Sequence, residues 1–344
     1  MVSPNAVAQP TSYVAVLKAK RGELTAVGGT PPERFIPLLE VVEPTKHAPI
    51  TKAWPHPDDV LWVQPINSGG SDEQDWADAV TQLFDDLRGQ GTAAVPTVTV
   101  EEDPAIYAAV GTIAQTDGRG IVLRLESGVA LDEDPSSLAA LIDDVLTACG
   151  VTPAETDLVI DASLASGGVA IESNTAGSVL GTVPHIDSWR NVVVAFSGFP
   201  ETVGSMVEKS SIGSIPRTDA AAFRHLTGRW SGRDLLFGDF AVGVPTYADV
   251  AFSPIPNIRY ALDGEWRVHR AASRSNPSPQ YRDLASDLAS ATYFAGAAFS
   301  PGDAYIAAVA SAADGPGNAE SYLRAAMSRH FHVVLDSLAT HGAP

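Results

Sequence analysis

Eight short runs rich in β-branched and apolar residues recur along the first two-thirds of the chain, separated by helix-like or turn-like segments. They fall at 13–18, 35–41, 60–64, 95–100, 121–126, 157–161, 192–197 and 235–239. Apolar residues at 75–88 (DWADAVTQLFDDLR) are spaced at the helical period. The segment 136–149 follows Asp134-Pro135 as a start signal and precedes Gly150 as a stop, and 103–114 and 218–227 obey the same logic. The links after the first, second and sixth runs are less clearly helical. Strands that alternate with helices imply a parallel sheet. Eight of them favour a closed barrel over an open doubly wound sheet, and no Gly-rich dinucleotide fingerprint follows the first run. The expected fold is therefore α/β, a (β/α)8 TIM-type barrel within a single domain, 1–344, the barrel occupying about 12–250.

Beyond the eighth run the pattern changes. Residues 257–270 (NIRYALDGEWRVHR) predict a hairpin turning at Asp263-Gly264, and 280–298 and 319–338 predict helices. Together they form an expected appendage, about 251–344, packed on the barrel rather than a domain of its own.

Charge and cysteine content exclude some function classes. Acids outnumber bases 41 to 22, for a net charge of −19. Such a surface repels phosphate backbones and disfavours duplex nucleic acid as a partner, while leaving room for a basic protein, a cation or a local basic pocket. A single cysteine, Cys149, forbids an intrachain disulfide, and nothing basic nearby marks it as a nucleophile; it reads as a buried small hydrophobe. The opening stretch MVSPNAVAQPTS has neither the charged nor the apolar region of a signal peptide. No apolar run is long enough to cross a bilayer, so the expected location is the cytoplasm.

Several short motifs carry a resemblance. Tyr13, Leu17 and Lys18 form a Tyr-x-x-x-Leu-Lys strand, Glu23 follows, and Pro37, Leu38 and Glu40 form a Pro-Leu-x-Glu strand. Further along come IPR at 215–217, FGDF at 237–240, IRY…W.VHR from Ile258 to Arg270, FSPGDAYI and RHFH. In these features the chain resembles the beta-protein family first named from a T-even bacteriophage, whose members occur in phages and widely in bacteria. The resemblance implies no established activity, and a link to phage defence only by association. Members often carry two adjacent histidines near the C-terminus; here Phe331 separates His330 from His332.

Alternation along the strands defines a candidate site. Positions facing the outer helices must be apolar, which fixes the phase. In IVLRLE, Ile121, Leu123 and Leu125 face the helices, so Arg124 and Glu126 point inward. The same reasoning sends Val14, Val16 and Lys18 inward, with Leu38 and Glu40, Thr97 and Thr99, Val159 and Asp161, and Leu235, Phe237 and Asp239; Gln64 and Ser197 join them. The polar residue mostly comes late in its strand, at the barrel end where active sites form. Buried charges must be paired or bind something.

The expected catalytic set is therefore Glu40, Glu126, Asp161 and Asp239, with Lys18, Arg124, Arg259 and Arg270 holding a small anionic substrate. Several carboxylates suit a divalent cation such as Mg or Mn in metal-assisted hydrolysis, although no ligand-spacing motif is present. A carboxylate pair for glycoside hydrolysis, with Trp54, Trp62 and Trp189 as platforms, and a Schiff base on Lys18 are weaker readings. A phosphate cradle after Ser197-Gly-Phe-Pro200 is weighed against a plain loop. The rival to an enzyme is a non-catalytic scaffold that binds a protein partner.

Overall fold

The computed structural model describes residues 8–164, 167–245 and 254–344. The expected boundary at 250/251 lies outside the described residues, as does most of the N-terminal stretch read against a signal peptide. Along the chain run β1 (Tyr13–Lys18), β2 (Phe35–Val41), β3 (Leu61–Pro65), β4 (Ala94–Val98), β5 (Ile121–Glu126), β6 (Thr156–Leu164), β7 (Asn191–Ser197), β8 (Ser211–Pro216) and β9 (Leu236–Asp239). All but β8 close a parallel eight-stranded barrel in chain order, with β9 pairing β7 on one side and β1 on the other. The expected (β/α)8 class is the observed one.

Helices α1 (Arg21–Gly28), α2 (His47–Ala53), α3 (Glu73–Gly89), α4 (Pro104–Asp117), α5 (Ser127–Asp132), α6 (Pro135–Cys149), α7 (Val169–Thr182) and α8 (Thr218–Thr227) fill the links. The clearest of them are the best capped. The Asp103 and Asp134 side chains accept backbone N–H groups at the starts of α4 and α6, each followed by proline. Gly118 and Gly150 end those helices in the left-handed conformation, at φ 64° and 66°. By contrast α7 (VAIESNTAGSVLGT) is built from weak helix formers and is held by packing on α8 and β6.

Inside the barrel Val14, Val16, Leu38, Trp62, Val95, Val122, Val159, Val193, Ala195 and Leu236 form a separate core. Ile121, Leu123 and Leu125 belong to the outer layer beneath the helices. The phase read for β1, β2, β5 and β6 therefore holds. On β9 it is reversed, because Leu236 faces in while Leu235 and Phe237 face out. Every position from Leu235 to Phe237 is apolar, so alternation could not choose between the faces. Packing chooses: Phe237 stacks on Tyr13 and meets Phe223 edge-on. A side chain at Gly238 would come within 2.9 Å of Val193 and 3.0 Å of Ala195, so only glycine fits the interior there.

The N-terminal end of the barrel is closed by a structural cluster. Arg190 grips Asp157 with two nitrogens, Asn191 donates to the same carboxylate, and the Ala8 amide donates to Asn191. This is the end of the fold that serves stability.

The appendage contains β10 (Asn257–Ala261), β11 (Glu265–Arg270), α9 (Pro277–Ala289), α10 (Pro301–Ala310) and α11 (Ala319–His341). The hairpin turns where expected. It recruits β8 into an antiparallel sheet ordered β10-β11-β8. The expected helix over 280–298 stops at Ala289, and beyond it Tyr293 and Phe294 fold back against Tyr260. Helix α11 lies along α1 and β1, where Phe331 sits 5.0 Å from Phe35 and 6.2 Å from Tyr13 between ring centroids. Among the described residues no helix is long and apolar enough to cross a membrane.

Candidate functional site

Strand register brings the polar residues to one level. Lys18 lies opposite Glu40, Glu40 opposite Gln64, and Glu126 opposite Asp161. Arg124 reaches across this level from below. Its Nη1 donates to Glu40 (2.8 Å) and Gln64 (2.6 Å), while its Nε and Nη2 donate to Asp161 at 3.0 and 2.6 Å. The ring of Phe240 covers it at 5.6 Å. Burial opposes the charge on Arg124, but Asp161 and Glu40 more than offset that and raise its pKa. Burial lifts the Glu40 carboxyl despite the pull of Arg124.

Asp161 is held from a second direction. Its other oxygen accepts the Ser163 amide at 2.8 Å, where β6 breaks register against β7 and Ser163 adopts φ 57°. Glu126 stands at the exposed rim, its pKa raised by partial burial and by Asp161. Glu40, Gln64, Arg124, Glu126 and Asp161 line a cavity of 540 Å³.

A second cavity, of 650 Å³, shares Glu40 and Glu201 with the first and opens between the barrel mouth and the appendage. Lys18, Glu23, Arg259 and Tyr281 line it. Partial burial lowers the Lys18 ammonium below its usual range although Glu40 favours the charge. Glu23 projects from α1, is buried, and is pushed up to about 7 by that burial against the opposing pull of Lys20 and Lys18. Arg259, on β10, is pushed down to about 10 by burial. It donates to the Val242 carbonyl at 2.7 Å and lies over the Phe199 ring at 4.5 Å.

Two expected members are elsewhere. Asp239 does not face into the barrel: the reversed phase of β9 places it on the outer side, beneath α11. Its Oδ1 accepts the Tyr13 hydroxyl at 2.5 Å and its Oδ2 lies 2.7 Å from His330 Nε2. Arg217 stands 3.6 Å from it and binds Asp219 at 2.7 Å, with Trp266 stacked 5.1 Å away. Burial would raise Asp239, but His330, Arg217 and Tyr13 outweigh it and hold the carboxyl below its usual range. Arg270 donates to the Val207 carbonyl and packs against Gly204, away from both mouth cavities.

The sugar platforms and the phosphate cradle lose their geometry. Trp54, Trp62 and Trp189 are all buried, Trp62 inside the barrel, so none is a sugar platform. After Ser197 a side chain at Gly198 would strike Asp219 at 2.5 Å, and Phe199 is buried under Arg259, which makes this segment packing rather than a phosphate cradle. Cys149 is buried and pushed up to about 12. The mouth carboxylates Glu40 and Asp161 are committed to Arg124. Among the described residues the ligand atoms that converge within 4.8 Å are those of Asp219, Asp239 and His330. Arg217 is already paired with both carboxylates of that buried trio, so a divalent cation would have to displace it.

Glu23 is the mouth residue that alternation could not find, because it comes from a helix. Only its place in the opening motif signalled it. The motifs Tyr13, IPR, FGDF, W.VHR and RHFH converge on the Asp239 cluster rather than on the mouth.

These features define an α/β-barrel protein whose polar mouth is flanked by its own C-terminal appendage. A family model described as Beta protein matches residues 13–336, and the chain belongs to that family. No curated protein sequence matches it.

Proposed function

We propose that the chain is a barrel enzyme that binds a small anionic substrate in the cleft between mouth and appendage and moves a proton with Glu23. The supporting observation is a buried carboxyl, Glu23, lining the same cleft as Lys18, Glu40 and Arg259. Proton transfer near neutral pH needs a group balanced between its two states, and burial brings Glu23 to that point. Arg259 supplies a cation whose hydrogen bonds go to two neutral oxygens, the Val242 carbonyl and the Asn257 side-chain carbonyl, leaving its charge for an anionic group. Arg124, itself fixed by Gln64 and Asp161, holds Glu40 in place beneath the cleft. This reading prefers acid–base chemistry to metal-assisted hydrolysis, since two of the mouth acids, Glu40 and Asp161, are bound to Arg124.

The test is a turnover screen of the whole chain against phosphate esters, carboxylic esters and small carboxylates, with Glu23→Gln and Lys18→Met beside it. At least one compound should be turned over, with a pH limb near 7 and a loss of about 100-fold or more in Glu23→Gln. One observation favours a second reading: Arg124 fills the mouth with satisfied ion pairs, as in a rigid scaffold. A wild-type chain inert to the whole panel, with Glu23 titrating in the ordinary carboxylate range, would favour that scaffold over the enzyme.

A further inference from the structure

A groove of 1220 Å³ lies beside the mouth, between α1, α2 and the start of α10 and flank of α11. Leu24, Val41, Ile50, Ala53 and Ala325 form its buried apolar floor. Small residues such as Ala48 and Gly29 keep it open. Its rim is basic on a chain of net charge −19. Lys20, Arg21, Lys46, Lys52 and Arg324 line it, against the carboxylates Glu40 and Glu43. Some of that charge is already paired: Lys46 binds Glu43 at 2.6 Å, and Arg21 binds Glu320 on α11. Lys52 and Arg324 stand on different walls, α2 and α11, and Arg324 rests over the Tyr305 ring at 5.0 Å.

We infer that this groove binds a long-chain carboxylate, its aliphatic chain along the floor and its head on the cations of the rim. Three properties select that class. The floor removes apolar surface from water without offering it a polar partner, which suits a hydrocarbon chain. Among the described lining residues none is aromatic, so a nucleobase or a sugar has no ring to stack on. Lys52 and Arg324 sit apart on two walls rather than clustered, which suits one negative charge, and Arg324 offers the planar fork that a carboxylate takes. The inference does not depend on catalysis at the mouth, although Glu40 and Lys20 border both spaces.

The test is calorimetric titration of the full chain with dodecanoate below its micelle concentration, with dodecanol, dodecyl phosphate, adenosine monophosphate and an acidic amphipathic peptide in parallel. Dodecanoate should bind saturably at one site. Lys52→Glu and Arg324→Glu should each weaken it roughly tenfold, and Ala48→Trp should block the floor, with each variant's circular dichroism matching wild type. Ala48 and Lys52 are exposed, so those variants retain the fold. The inference fails if dodecanoate does not bind saturably, if dodecanol binds as tightly, or if the three variants bind dodecanoate as wild type does. Tighter binding of dodecyl phosphate, the nucleotide or the peptide would equally overturn it.

Discussion

His330 Nε2 lies 2.7 Å from Asp239 Oδ2, tying the last helix of the chain to the last strand of the barrel. The Trp266 indole N–H, which can only donate, points at His330 Nδ1 at 3.3 Å. The ring is thus held through both nitrogens, by Trp266 on one side and by Asp239 on the other. Both residues are buried, and Tyr13 and Arg217 complete the carboxylate's partners. His330→Ala should destabilise the chain by about 2–4 kcal/mol, because it strips one partner from a buried charge. Urea unfolding of His330→Ala, Asp239→Asn and the double variant checks this. The two changes should couple by about 1–3 kcal/mol, and strict additivity would show that the pair is not a unit.

The Arg124 cross-link makes a sharper case at the other end of the same barrel. Arg124→Met leaves Glu40 and Asp161 buried without their common cation, and should cost about 3–5 kcal/mol. Arg124→Lys should recover little of it, since one ammonium cannot reproduce the fork that spans both acids and Gln64. Adding Glu40→Gln and Asp161→Asn to Arg124→Met removes the stranded charges and should restore part of the loss. Denaturant midpoints of the wild-type chain and the three variants test the ordering; a triple variant less stable than Arg124→Met would contradict it.

The barrel was legible because each wall strand needs apolar residues on its outer face, and in IVLRLE that requirement leaves only one phase for Arg124. It failed at Leu235–Phe237, where three apolar residues in succession satisfy either phase and the choice falls to Gly238 and Phe237. Strand β8 escaped notice for a related reason. Ser211-Ile-Gly-Ser-Ile-Pro is a solvated edge in which Ile215 is buried but Ile212 is exposed, so it carries no strong apolar signal. Helix α7 was obscure because tertiary packing, not propensity, forms it. At the mouth, alternation found Lys18, Glu40, Arg124, Glu126 and Asp161 because strands carry them. It could not place Glu23 or Arg259, whose positions depend on how α1 and the hairpin pack over the barrel end.

Glu23 gives the chain a pH dependence of definite sign. Its carboxyl is raised to about 7 from 4.5 by burial, so its folded value lies above its unfolded one. Between those values the folded chain keeps a proton that the unfolded chain releases. The stability contributed by this group is therefore complete below about pH 4.5 and is lost as the pH rises through 7. Glu23→Gln is neutral throughout, and should be more stable than wild type at pH 8.5 by about 2–3 kcal/mol, with the difference shrinking toward pH 5. Urea unfolding at both pH values decides it. Equal stability at pH 8.5 would mean that Glu23 ionises without cost, and would remove the basis for its proton-transfer role.

Divalent cations provide a test that separates the two acidic clusters. Asp219, Asp239 and His330 present ligand atoms within 4.8 Å of one another, the density that a metal requires. Arg217 occupies the charge balance of that trio, bound to Asp219 through two of its nitrogens and close to Asp239. A cation entering there would have to displace a fully buried guanidinium and leave it without a carboxylate, at a cost of several kcal/mol. Mg²⁺ or Mn²⁺ at millimolar concentration should therefore leave the melting temperature within about 1 °C of the metal-free value. Arg217→Met changes the balance: it vacates the centre of the trio and leaves net negative charge there. In that variant Mn²⁺ should raise the melting temperature by several degrees, and Asp219→Asn in the same background should abolish the rise. A metal-dependent rise of about 4 °C or more in the wild-type chain, lost in Asp239→Asn, would show instead that the trio binds metal alongside Arg217.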